Sequence, residues 1–207
     1  MTYYLSLILY CFLLLIAFVY GNNDKQTRNN KLSKRYVRYL GFILAIEFLR
    51  ILSIYVLDIK IANYLFPFYI AGEFFLVLSF FQVGLKQKRK MQILITIVTG
   101  CLFIESIAMW FIFDNATIGY GKTISHLTIV LTAAYILVKN LKELETNNPF
   151  LIVYAALFLY YSVSLFLFLL MSQLTKSTIH IWTINNLLSC ILYGSSIYTF
   201  HLLKKSY

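Results

Sequence analysis

The chain of 207 residues has 60% hydrophobic and 18% aromatic residues and a formal net charge of +10, with a mean hydropathy of +0.76. A soluble domain of this size cannot bury so much apolar surface, so the composition excludes a soluble globular protein and predicts an integral membrane protein. Long apolar runs between short charged clusters favour helices over the alternating strands of a membrane barrel.

Runs of about 20 apolar residues predict seven transmembrane helices in chain order. The first run has no preceding positive segment and no small-residue cleavage pattern, so we expect it to be retained as a helix. The stretch Asn147-Asn148-Pro149, with an amide side chain able to cap and a proline in the first turn, predicts the start of the sixth helix. The chain is thus predicted to form one all-α transmembrane domain over 1–207, with helices at 3–20, 37–58, 62–85, 92–113, 118–139, 149–172 and 178–203.

The basic residues indicate how these helices are oriented. The three even-numbered connections hold one basic residue each: Lys60, Lys122 and Lys176. The odd-numbered connections and the C-terminal end hold fourteen: Lys25, Arg28, Lys31, Lys34, Arg35, Arg38, Lys86, Lys88, Arg89, Lys90, Lys139, Lys142, Lys204 and Lys205. By the positive-inside rule, the odd connections and the C-terminus are cytoplasmic and the N-terminus is outside. We therefore expect a multi-pass protein of the plasma (inner) membrane.

The basic clusters also bear on the partners. Besides setting the topology, they are expected to attract the anionic headgroups of the lipid bilayer. A docking surface for a cytoplasmic or membrane protein is the alternative interpretation. Because the connections leave no room for a separate basic module, nucleic acid is not an expected partner.

Ionisable residues occur at bilayer depth, where insertion of each costs roughly 2.5–3.5 kcal/mol. Glu47 falls near the middle of the second predicted helix and Glu73 near the middle of the third. Further polar residues fall at similar depths or nearer the outside. We predict that eight residues line an outward-biased ligand or proton pocket: Glu47, Arg50, Glu73, Glu105, His126, Tyr160, Asn185 and Asn186.

Each member of this set also has a structural alternative. Glu47 and Arg50 lie three residues apart on one helix face and can neutralise each other. Glu73 and Glu105 can meet Arg50 or His126, or remain protonated. Asn185 and Asn186 can be hydrogen-bonding residues between helices, and His126 can be a hydrogen-bonded packing residue. The tyrosine at 160 is equally consistent with packing and with a pocket wall.

Several kinds of chemistry are missing from the sequence. The last predicted helix, 178–203, contains no lysine for a retinal Schiff base, and the three histidines fall at different depths. No glycine-rich phosphate loop, HExxH pattern or nucleophile elbow occurs. We therefore expect no enzymatic activity, no bound metal and no cofactor.

Three stretches carry a resemblance to other proteins: "YLFPFYIAGEFFLVLSFF", which contains Glu73, "NNPFLIVYAALFLYYSVSLFLFLL" and "IWTINNLLSCILYGSSIYTF". They resemble a group of small seven-helix membrane proteins of the Bacteroidetes type, over the third, sixth and seventh helices. The resemblance implies the same architecture. Because some members of that group are linked to signalling kinases, it also implies a role in signalling.

Three functions fit these observations. The first is a sensor or receptor-like protein whose pocket binds a small molecule, lipid or proton and passes a helix shift to a membrane or cytoplasmic partner. The second is a proton-coupled transporter, in which the glutamates carry protons and Arg50 holds an anionic substrate. The third is a structural subunit of a larger membrane complex.

Overall fold

The described residues of the computed structural model fold into helices joined by short connections. These residues are 2–23, 29–55, 62–113, 116, 119–142, 148–170 and 179–205. Predictions for Lys25, Arg28, Lys60 and Lys176, and for helix ends at 58, 118, 172 and 178, lie outside them. The all-α prediction is confirmed, and the described residues form seven helices: α1 (Thr2–Asn23), α2 (Lys31–Tyr55), α3 (Ala62–Gly84), α4 (Arg89–Phe113), α5 (Gly121–Lys142), α6 (Leu151–Leu170) and α7 (Ile179–Lys205).

Two helix starts have a clear local cause. At α2 the Asn30 side chain accepts a hydrogen bond from the backbone N–H of Leu32 at 2.9 Å. This cap starts the helix six residues before the predicted 37, because the lysines and arginines that follow are good helix formers. At α6 the Asn148 side chain accepts from the N–H of Phe150 at 3.1 Å. Helix α6 begins at Leu151, two residues after the predicted 149, and Asn148 is its capping side chain. Asn147 lies outside the described residues.

Five helices are long and apolar enough to cross a membrane: α1, α3 from Tyr64, α4, α5 and α6. The chain therefore has the composition of a helical membrane protein. The other two helices, α2 and α7, are as long. Polar residues interrupt their apolar sequences: α2 carries Arg38, Glu47 and Arg50, and α7 carries Asn185 and Asn186.

The chain divides into two compact units, unit 1 (Met1–Lys34 and His126–Tyr207) and unit 2 (Arg35–Ser125). In unit 2, the Tyr36 ring lies 5.0 Å from the Phe80 ring, and Phe42 lies against Gly72. Residue numbers rise along α2 as they fall along α3, so these helices are antiparallel. Helices α3 and α4 are also antiparallel, through the ring pairs Phe68–Phe103 at 5.2 Å and Tyr64–Trp110 at 4.6 Å.

In unit 1, α7 packs against both α1 and α6. Asn186 donates to Ser6, and further along both helices Cys190 interacts electrostatically with Cys11. Numbers rise together along the two helices, so α1 and α7 are parallel. The end of α7 returns to the start of α6, because the Thr199 hydroxyl donates to the Pro149 carbonyl oxygen at 3.2 Å. Helices α6 and α7 are therefore antiparallel.

Gly72 generates a test of the α2–α3 contact. A Cβ at this position would overlap the Phe42 ring, so we expect Gly72→Ala to lower the free energy of unfolding by about 1–3 kcal/mol, the usual cost of overpacking. Thermal unfolding in detergent measures the change.

Gly100→Ala is the matched control, since a Cβ at Gly100 meets no atom within 4 Å. Alanine is the better helix former, so this control should leave stability unchanged or raised. A Gly72→Ala protein as stable as the Gly100→Ala protein would contradict the close α2–α3 approach.

Candidate functional site

The eight candidate residues are divided between the two units. Unit 2 contains Glu47, Arg50, Glu73 and Glu105, and unit 1 contains His126, Tyr160, Asn185 and Asn186. Within each unit the polar side chains make specific contacts. Among the described carboxylates, only Glu73 is deeply buried. The pocket that the sequence predicts stays a prediction.

Glu47 and Arg50 form an ion pair on α2. Two guanidinium nitrogens of Arg50 bind one carboxylate oxygen of Glu47, Nη2 at 2.7 Å and Nε at 2.9 Å. Both side chains are half-buried. The three-residue spacing places them on one helix face, and the short bonds are of the charge-assisted kind. Glu47 and Arg50 therefore neutralise each other on one helix face. This pairing lowers the free-energy cost of placing two charges within α2.

Glu73 is in a different environment. It stands at the midpoint of α3 and its exposure is 1%. The Tyr69 hydroxyl, one helical turn earlier, donates to Oε1 of Glu73 at 2.9 Å. Around them α3 is almost entirely apolar. A carboxylate so deeply buried needs hydrogen bonds and a counter-charge to remain ionised.

The counter-charge is Lys122, at the beginning of α5. Lys122 and Glu73 interact electrostatically, and the Lys122 ammonium also lies 6.0 Å from the centroid of the Phe66 ring, at the outer limit of a cation–π contact. Lys122 is only half-buried. The sequence places it in a connection, as one of the few basic residues on the outer side. The structure instead adds Lys122 and Tyr69 to the candidate site.

Glu105 anchors the beginning of α5. Its Oε1 accepts a hydrogen bond from the backbone N–H of Gly121 at 3.2 Å. A Cβ on either Gly119 or Gly121 would overlap this carboxylate, so both glycines are needed for its close approach. The negative charge also complements the positive end of the α5 dipole. Beside it, the Ser106 hydroxyl donates to the Ala116 carbonyl oxygen at 3.4 Å, so two adjacent residues of α4 hold the connection to α5.

Lys122 directly follows the glycine that Glu105 binds. Two carboxylates therefore act near the beginning of α5: Glu105 accepts the hydrogen bond from Gly121, and the charge of Glu73 acts on Lys122. Among the described carboxylates of unit 2, Glu73 is the one whose link to α5 depends on charge.

In unit 1, His126 packs within an aromatic cluster. Its exposure is 2%, and its ring meets the Tyr161 ring edge to face at 5.1 Å. Tyr160 meets Tyr161 in the same manner at 5.0 Å. The His126–Tyr161 contact joins α5 to the middle of α6, whereas the Tyr160–Tyr161 contact lies within α6. His126 therefore contributes to packing between these two helices.

The two adjacent asparagines of α7 have different surroundings. Asn186 is buried, and its Nδ2 donates to the Ser6 hydroxyl of α1 at 3.0 Å. Asn185 is only half-buried. Its backbone carbonyl oxygen accepts a hydrogen bond from the Ser189 hydroxyl at 3.0 Å, within α7. Asn186 thus makes the hydrogen bond between helices that the sequence allows for either residue.

Within the described ranges, no three histidine, cysteine, aspartate or glutamate side chains lie together as potential metal ligands. The cysteines 11, 101 and 190 are free thiols.

No protein-family model, no curated protein and no solved structure matches the chain. The resemblance to small seven-helix proteins therefore stays a prediction.

The Glu105 anchor gives a direct test. Glu105→Ala removes the acceptor of a partly buried N–H and the charge at a helix start, so we expect unfolding free energy to fall by about 1–3 kcal/mol. Glu105→Gln keeps an acceptor oxygen and should cost only about 0.3–1 kcal/mol, the value of a charge at a helix terminus. Denaturant or thermal unfolding in detergent measures both.

Gly119→Ala provides the matched control. It should destabilise the protein that retains Glu105, because the new Cβ overlaps the carboxylate, and be tolerated in the Glu105→Ala background. If Gly119→Ala lowered stability equally in the two backgrounds, the Glu105 carboxylate would not lie against Gly119.

The Ser6–Asn186 bond gives a second test. Asn186→Leu and Ser6→Ala should each lower stability, and the double variant should show a coupling of about 0.6 kcal/mol, with 1.7 as the upper end for hydrogen bonds between membrane helices. Asn185→Leu, one residue away, should show no coupling to Ser6→Ala. Coupling at 185 in place of 186 would contradict the α1–α7 register.

Proposed function

We propose that all seven helices cross the plasma (inner) membrane, with the N-terminus outside and the C-terminus cytoplasmic. Helix α2 runs antiparallel beside α3, and α7 runs parallel to α1 and antiparallel to α6. Since α1, α3 and α6 have the composition of membrane spans, their neighbours share their depth. The local pairing of Glu47 with Arg50 supports the crossing of α2, as the hydrogen bonds of Asn186 and Thr199 support that of α7. The parallel direction of α1 and α7 also agrees with an odd number of crossings.

We further propose that the protein is a sensor, and that Glu73 is its responding group. The observation that carries this proposal is the carboxylate at the midpoint of α3, 1% exposed, whose counter-charge comes from the start of α5. In the proposed topology α5 starts on the outer side of the membrane. A proton or a cationic ligand that reaches Glu73 from outside competes with Lys122 for the carboxylate.

The resulting change has a definite place in unit 2. When Glu73 is neutralised, the attraction to Lys122 is lost, while Glu105 still holds the N–H of Gly121. The beginning of α5 then pivots about its remaining attachment. A difference in free energy between the charged and neutral forms of Glu73 is what couples the stimulus to helix position. A membrane or cytoplasmic partner would read the shift at the cytoplasmic ends of the helices.

The test uses the exposed thiol of Cys101 on α4 as the site of an environment-sensitive fluorophore, in a protein carrying Cys11→Ala and Cys190→Ala. In proteoliposomes, lowering the outside pH should change the fluorescence in one transition. Glu73→Gln should abolish that transition, because the amide cannot titrate. Lys122→Gln should reduce its amplitude, because no counter-charge remains to be released.

Glu47→Gln is the control, because the charge of Glu47 is paired with Arg50 of the same helix. It should preserve the transition. A transition that survives Glu73→Gln would refute the assignment of the responding group. The signalling role fails if affinity purification from native membranes recovers no partner and no pH- or ligand-dependent fluorescence change is seen.

A proton-coupled transporter is the second candidate, favoured by the position of Glu73 halfway along a membrane span, where a carried proton would be exchanged between the two sides. Proteoliposomes containing an internal pH indicator distinguish the two. A sensor acidifies the interior no faster than empty vesicles. Substrate-dependent acidification that is lost in Glu73→Gln would establish transport instead, and copurification of a second chain at fixed stoichiometry without either response would point to a structural subunit.

A further inference from the structure

The turn between α3 and α4 carries a dense set of exposed cations. Lys86, Lys88, Arg89 and Lys90 are all exposed, within five consecutive residues. In the described part of the chain none of them pairs with an acidic side chain. Four neighbouring positive charges repel one another unless an anion neutralises them.

The backbone of this turn is fixed by hydrogen bonds. Lys86 has a positive φ of 52°. Its N–H donates to the Val83 carbonyl oxygen at 3.1 Å, and the N–H of Gln87 donates to the Gln82 carbonyl oxygen at the same distance. This is the usual way in which a helix ends in a left-handed residue. The Gln82 side chain then donates to the Lys88 carbonyl oxygen at 3.3 Å. The basic side chains therefore project from a defined backbone.

The beginning of α2 contributes to the same end of unit 2. Tyr36 is fully buried, and its ring lies 5.0 Å from that of Phe80, about one and a half turns before the basic turn. Arg35 is half-buried and Arg38 is exposed, and within the described residues neither pairs with an acidic side chain. Two arginines of α2 thus add to the four cations of the turn.

The surface next to these cations is apolar. Ile93, Leu94 and Ile97 of α4 are exposed and lie about 6–12 Å along the helix from Arg89. In a membrane span such side chains face the lipid tails. The basic turn therefore lies at the level of the headgroups, where a phosphate group is the nearest anion.

We propose that Arg35, Arg38, Lys86, Lys88, Arg89 and Lys90, named here the basic rim, bind the headgroup of an anionic phospholipid. Arginines bind phosphate oxygens in pairs and lysines add point charges. Basic residues close to a membrane surface attract anionic lipids through the same chemistry. The rim binds at a defined place, in addition to the general attraction that any basic loop exerts. This proposal is independent of the sensing role of Glu73.

The experiment measures binding of labelled phosphatidylglycerol and labelled phosphatidylcholine to the whole protein in detergent micelles. Phosphatidylglycerol should bind saturably and phosphatidylcholine at least about tenfold more weakly. The triple variant Lys86→Gln, Arg89→Gln, Lys90→Gln should lose at least about tenfold in affinity for phosphatidylglycerol. Gln82→Leu, which loosens the turn without changing charge, should lose up to about fivefold, the value of one hydrogen bond.

The matched control removes the same charge elsewhere: Lys142→Gln, Lys204→Gln, Lys205→Gln, at three exposed positions of unit 1. Its affinity should stay within about twofold of the unchanged protein. Equal losses in the two triple variants would overturn the proposal in favour of diffuse attraction. Equal binding of the two lipids, or displacement of phosphatidylglycerol by inorganic phosphate or an acidic peptide at matching concentration, would overturn it in favour of another anion.

Both triple variants carry their substitutions at exposed positions. Gln82 is buried, so thermal unfolding verifies that the Gln82→Leu variant is folded. Should that variant unfold, the comparison of the two triple variants and of the two lipids still decides the outcome.

Discussion

Hydrocarbon cannot solvate a charge, so a membrane helix can carry a charged group only if the protein itself supplies the partner. The described carboxylates of unit 2 have partners of three different kinds. Glu47 meets a cation on its own helix, Glu105 meets the backbone at the start of the next helix, and Glu73 meets a phenol on its own helix and a charge from another. Whether the partner lies on the same helix or on another helix determines how the carboxylate affects contacts between helices.

A partner on the same helix moves with the carboxylate, so the Glu47–Arg50 pair is insensitive to shifts between helices. A partner on another helix ties the two helices together, and neutralising the carboxylate releases them. Glu73 has a partner of each kind: Tyr69 donates to it within α3, and the charge of Lys122 acts on it from α5. In the proposed sensor, neutralising Glu73 removes the attraction to Lys122 and leaves the partner on its own helix in place.

The sequence predicts the features of the fold that depend on local patterns. The all-α class, the Asn148 helix start and the Glu47–Arg50 pair follow from hydropathy, capping and three-residue spacing. Tyr69 is four residues before Glu73, so helical periodicity alone would have found it. The link between Lys122 and Glu73 depends on how α5 meets α3, and the bond between Glu105 and Gly121 depends on the path of the connection. Neither leaves a local pattern. Similarly, Asn185 and Asn186 are adjacent, and only packing against α1 distinguishes them.

The two units also differ in how the chain can assemble them. Unit 2 is one continuous stretch, so its contacts are available as soon as α2 to α5 have been made. Unit 1 is built from both ends of the chain, and the bond between Asn186 and Ser6 spans 180 residues. The Ser6 hydroxyl also donates to the Tyr3 carbonyl oxygen of its own helix at 2.8 Å, a bond that does not depend on α7. Helix α1 can therefore form with its polar group partly satisfied before α7 has been made, and its contact with α7 is a late step in the assembly of unit 1.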